Sequence, residues 1–91
     1  MDNAMVTRNQ GTNESLFYEI IVVGDTITDA EWAIIPDADL TNEALFSETG
    51  QSGARVLVGP LDNGQYTLTG HLTGSSLQEY ERNIRILVAP E

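Results

Sequence analysis

Ninety-one residues leave room for one domain, which at this size buries only about 60–65 % of its unfolded surface. With no cysteine, disulfides and thiolate metal sites are excluded. A net charge of −10, from fourteen acids and four arginines with no lysine, repels nucleic-acid phosphates and anionic membranes alike. The charge is uneven: residues 1–50 hold ten acids and one arginine, residues 51–91 four acids and three arginines. Such an acidic half either keeps a surface solvated or docks on a basic or Arg-bearing neighbour. The longest apolar run, Ile20-Ile21-Val22-Val23, is strand length, far short of the roughly 20 residues that span a bilayer. The start shows no basic stretch followed by an apolar one, so no secretory signal is expected, and the lack of cysteine fits assembly in a reducing cytoplasm.

In chain order, residues 1–15 are rich in Asn, Thr and Gln without periodicity, which predicts a flexible N-terminal arm. Leu16 to Val23 is β-branched and aromatic and predicts a strand, ended by Gly24-Asp25. A short Thr26-Ile27-Thr28 segment follows, then a strand from Glu31 to Ile35 stopped by Pro36. Asn42 to Thr49 predicts one or two short strands, and Gly50 to Gly53 a turn. Ala54 to Val58 is a strand closed by Gly59-Pro60, and Asp62-Asn63-Gly64 a tight turn. Gln65 to Thr73 alternates, with Tyr66, Leu68, Gly70 and Leu72 on one face and Thr67, Thr69, His71 and Thr73 on the other. Gly74-Ser75-Ser76 opens a hairpin loop, and Glu81 to Ala89 is the last strand. Ser76 to Arg82 is the best helical candidate, but it suits a hairpin tip better.

About seven short strands at this spacing predict an all-β, immunoglobulin-like β-sandwich over residues 16–91. The expected core is Tyr18, Ile20, Val22, Trp32, Ile34, Val56, Val58, Tyr66, Leu68, Ile84, Ile86 and Val88. Asp62-x-Gly64-x-Tyr66, at the entry to the penultimate strand, is placed for a tyrosine corner, the phenol bonding back to upstream backbone.

Residues that carry chemistry are scarce. The single histidine, His71, falls on a polar strand face and has neither a cysteine nor a G-x-S-x-G elbow to work with. Asp37-x-Asp39, near Asp25, Asp29 and Glu31, lacks the ligand spacing of an EF-hand loop. No phosphate-cradling glycine loop precedes a helix. The expectation is therefore no enzyme activity, no catalytic or metal-binding residues, no cofactor and no small-molecule substrate.

Surplus apolar surface is the positive signal. Phe17, Ile21 and Val23 oppose the core residues of the first strand, Leu57 opposes Val56 and Val58, and Leu87 opposes Ile86 and Val88. A sandwich this small cannot bury both faces of its sheets by itself. Phe17, Ile21, Leu57 and Leu87, with the cations Arg55 and Arg85 beside them, are the expected protein-interface residues.

From Gly24 onward the chain carries Gly24-Asp25-Thr26-Ile27, Ala30-x-Trp32, Ser47 to Thr49, Ala54-Arg55-Val56-Leu57-Val58, Gly64-x-Tyr66-Thr67-Leu68-Thr69 and Glu81-Arg82-Asn83-Ile84-Arg85-Ile86-x-Val88. In the order and spacing of these segments it resembles the bacteriophage fibre–tail adaptor family of small immunoglobulin-like virion proteins. Tyr18-x-Ile20-x-Val22 keeps two positions of the family's first strand and has valine for its tryptophan, and the family's Lys-Pro start is missing. The resemblance implies a structural role in the virion tail, a homo-oligomeric ring between tail and fibre proteins, assembled in the host cytoplasm. A surface- or carbohydrate-binding module and a head-decoration protein are the alternatives of the same fold.

Overall fold

The computed structural model describes residues 6–90. Seven strands account for most of them: β1 (Val6–Gly11), β2 (Leu16–Val23), β3 (Ile27–Ile35), β4 (Leu40–Glu48), β5 (Gln51–Val58), β6 (Gly64–Gly74) and β7 (Glu79–Ala89). They form two sheets, one ordered β1-β7-β6-β3 and the other β2-β5-β4. Every pairing is antiparallel except β1 with β7, which run parallel. There is no helix among the described residues.

Period-two alternation builds the interior. Tyr18, Ile20 and Val22 from β2 and Ala54, Val56 and Val58 from β5 are buried on one side. Opposite them lie Ile34 from β3, Tyr66, Leu68 and Leu72 from β6, and Ile84, Ile86 and Val88 from β7. Every expected core residue is buried except Trp32, which is half-buried because β3 is an edge strand. Its ring lies over Gly70, where a Cβ would come within 2.8 Å of it. Ile27, Ala54, Leu61 and Leu72 complete the core. The tyrosine corner is present: the Tyr66 hydroxyl donates to the Asp62 carbonyl at 3.1 Å.

Several local expectations are corrected. The proposed flexible arm over 1–15 is a strand from Val6 to Gly11; residues 1–5 lie outside the described residues. Gln10 explains why this polar segment is held. It is 3 % exposed, and its amide donates to the carbonyls of Glu14 (2.8 Å) and Val58 (3.1 Å) while accepting from the Tyr18 hydroxyl (2.7 Å). One buried amide thus satisfies three groups that burial would otherwise leave unpaired. Burial also raises the Tyr18 phenol above its usual pKa. Gly59 is needed beside it, because a Cβ there would run into Gln10 and the Glu14 carbonyl, and its φ is +117°. Further along, the segments at 26–28 and 31–35 are one strand with an irregularity between Ile27 and Asp29. The expected turn at 50–53 is shorter, since Gln51 already belongs to β5.

Candidate interaction face on the three-stranded sheet

Strand register assembles the outward face of β2-β5-β4 row by row. Phe17 lies opposite Leu57, which faces Thr41; Glu19 lies opposite Arg55, which faces Ala44. Ile21 lies opposite Gly53, which faces Phe46; Val23 lies opposite Gln51, which faces Glu48. Phe17 is 55 % exposed, Ile21 49 % and Val23 76 %, although their alternate neighbours Tyr18, Ile20 and Val22 are core. Leu57, Arg55 and Phe46 are half-buried by these neighbours.

The charges that β2 and β5 bring to this face cancel, while β4 adds Glu48 at its end. β2 and β5 together carry one carboxylate, Glu19, and one cation, Arg55. Their side chains approach to 3.7 Å, and the guanidinium sits 5.4 Å from the centre of the Phe17 ring. In the open such contacts contribute little, about 0–1 kcal/mol each. They matter more because they neutralise the β2–β5 part of the face on a chain of −10. Phe46, not singled out in the sequence, belongs here because Gly53 has no side chain; a Cβ would come within 2.9 Å of its ring. The alternation of Ala44 and Phe46 was readable, but not the side toward which it faced.

Arg85 and Leu87 are elsewhere. They occupy the outward face of β1-β7-β6-β3, on the far side of the sandwich. Arg85 lies between Thr7 and Thr67, and Leu87 between Asn9 and Gln65. Leu87 is 37 % exposed and has polar neighbours in its row, so it is not part of an apolar patch. The structure therefore brings together Phe17, Ile21, Arg55 and Leu57 and separates them from Arg85 and Leu87.

His71 stands on that second, polar face, between Glu31 on β3 and Glu81 on β7. Its Nε2 is 2.7 Å from Glu79 and its Nδ1 3.7 Å from Glu81. The hydrogen bond to Glu79, with the surrounding carboxylates of Glu79, Glu81 and Glu31, raises the His71 pKa above 6.5. Because the folded-state value is raised, this stabilisation is complete below about pH 6.5 and is lost as the pH climbs through the folded-state pKa. In an NMR titration His71 should therefore titrate above 6.5, and Glu79→Gln should bring it back toward that value. A wild-type ring titrating at or below 6.5 would contradict the contact.

At one end of the sandwich, Asp25 ties the β2–β3 corner to the β6–β7 hairpin. Its carboxylate accepts from Ser76 (2.6 Å), Tyr80 (2.7 Å), Ser75 (3.3 Å) and the Thr26 amide (2.8 Å). The Ser76 and Tyr80 hydroxyls lead in holding its pKa down to about 2. A depressed pKa means the clamp is intact above about pH 3.8 and is lost as the pH falls through about 2. Gly74 leaves room for it, since a Cβ there would overlap the Asp25 carboxylate as it stands. Asp25 is thus a fastening of the fold, its oxygens taken up by hydroxyl and amide donors. The chain matches no protein-family model and no curated protein.

Proposed function

We propose that this chain is a structural adaptor of a phage virion, set as a ring of copies between the tail and its fibres and working through protein–protein contacts. The observation that carries the proposal is the outward face of β2-β5-β4, where Phe17, Ile21, Val23, Leu57 and Phe46 gather around a neutralised Glu19–Arg55 pair. Exposed apolar rows of this kind favour contact with a partner. The opposite face is mostly polar, with Thr7, Asn9, Gln65, Thr67, Thr69 and His71 in its rows and Ile35 and Leu87 as isolated exposed apolar side chains, so the two sides suit different neighbours. The strand order supports an immunoglobulin-like arrangement, with β1 parallel to the last strand and a tyrosine corner leading into β6. The sequence resemblance, spread over the Gly24-Asp25-Thr26-Ile27 corner and the later strands, supports the virion role. Repetition around a symmetric tail would convert many weak contacts into a durable joint.

Leu57→Glu tests this directly. Leu57 is half-buried on the central strand of the face, with Phe17 and Thr41 on either side. Glutamate there adds a charge that must be desolvated on docking, while the free chain keeps its fold to within roughly 1 kcal/mol. The variant should remain folded by circular dichroism and be missing from purified particles. Incorporation at the wild-type level would overturn the proposal.

A further inference from the structure

A sheet edge exposes unpaired backbone amides and carbonyls, and proteins blunt such edges with charges, bulges, proline or short length. Among the described residues the sandwich has four edges, β1 and β3 in one sheet and β2 and β4 in the other. Three carry a device. β1 is only six residues long and holds Arg8. β3 has an irregularity between Ile27 and Asp29 and carries Asp29 and Glu31. β4 has an irregularity between Thr41 and Ala44, with Asn42 at φ +52°, and carries Glu43 and Glu48. Of these β2 has only a single charge, which Arg55 of β5 offsets. It runs Leu16-Phe17-Tyr18-Glu19-Ile20-Ile21-Val22-Val23 in unbroken register with β5, without proline, glycine or lysine, and with Glu19 as its one charge. Beside its free edge lies an open groove of about 470 Å³ between β2 and β1, lined by Val6, Arg8, Leu16, Phe17, Tyr18 and Ile84 among others.

We propose that β2 pairs antiparallel with β2 of a second copy, joining two three-stranded sheets into one of six strands. The strand's own sequence selects the occupant and the register. Keeping the outward residues of both copies on one face requires residues of like parity to oppose one another. The register centred on Glu19 would set two carboxylates against each other and is disfavoured. Moving the axis one residue to Ile20 removes the conflict: Ile20 faces itself, Glu19 faces Ile21, Tyr18 faces Val22 and Phe17 faces Val23 across the two-fold axis. The outward side chains Phe17, Ile21 and Val23 of the two copies then share one face, with Glu19 as the only charge in each strand's row. A single eight-residue strand pairing is smaller than a standard interface, so the dimer is weak, forming at concentrations on the order of 0.1–1 mM. Because each copy carries −10, salt screens their repulsion and strengthens the dimer. A contact with a basic partner would respond to salt in the opposite sense.

Sedimentation velocity over that range, with two charge variants at one position, tests the pairing. In the proposed register Ile21→Lys places an ammonium opposite Glu19 twice per dimer, and Ile21→Glu places a carboxylate there. Ile21→Lys should keep or tighten the dimer and Ile21→Glu weaken it, a separation on the order of tenfold in Kd. Amide exchange should show the previously exchanging amides of β2 becoming protected as concentration rises, while those on the free edge of β4 stay unchanged. Leu57→Glu lies on the central strand and should leave this dimer intact, which separates the pairing from the virion proposal. Wild-type protein that stays monomeric at about 1 mM, equal weakening by both Ile21 variants, or protection outside β2 would each overturn the inference.

Discussion

Leu68→Ala is expected to destabilise the fold by about 2–5 kcal/mol. Leu68 is fully buried in the middle of β6, opposite Ile34 on β3 and Ile84 on β7. It belongs to the larger core cluster with Tyr18, Val56, Tyr66 and Ile86, drawn from both sheets. Backbone ladders on both sides of β6 fix the positions of its neighbours, so they cannot close over the missing atoms. The cost is therefore the lost transfer energy plus most of the cavity term. For a domain this small, whose whole stability is expected at about 5–15 kcal/mol, Tm should fall by on the order of 10–30 °C. Thermal or urea unfolding measures it. A loss below about 1 kcal/mol would mean that the two sheets do not meet at Leu68.

Gly53→Ala should be similarly damaging for a different reason. A Cβ at Gly53 would overlap the carbonyl of Ile20 on β2 and press on the Phe46 ring of β4 at 2.9 Å. The first obstruction is backbone, which cannot step aside as a flexible side chain would. β5 is the central strand of its sheet, so relief on one side disturbs pairing on the other. The expected loss is at or above the upper end of the roughly 1–3 kcal/mol typical of overpacking. The site matters for the interaction face as well, since Phe46 lies in its outward position only because Gly53 leaves room. Chemical denaturation of Gly53→Ala checks the energy. A change within about 0.5 kcal/mol would show that the two strands are not packed this closely.

Alternation made much of the interior legible in the sequence. Tyr66, Leu68 and Leu72 on β6 and Ile84, Ile86 and Val88 on β7 follow the period of two, and each is buried. The turn before Tyr66 carried a specific signal, and its hydroxyl bonds to Asp62 as that signal implied. β1 was not legible because Val6–Gly11 turns one well-buried residue inward, and that residue, Gln10, is polar. Its order comes from parallel pairing with β7 and from partners at Glu14, Tyr18 and Val58, which no local pattern records. Leu57 and Leu87 looked alike in sequence, each set between core residues. They differ only through their neighbours across strands, Phe17 beside the first and Asn9 and Gln65 beside the second. Asp25 looked like a turn residue because the hydroxyls that engage it, on Ser75, Ser76 and Tyr80, lie some fifty residues away.

In the proposed role, the exposed apolar rows on one side of the sandwich and the mostly polar rows on the other would let this chain join two different neighbours. Cryo-electron microscopy of the particle that carries it looks at that directly. Copies ringed at the junction of tail and fibres, with Phe17, Ile21 and Leu57 covered by another subunit, are the expected result. Copies located elsewhere, or with those side chains facing open solvent in the mature particle, would contradict it.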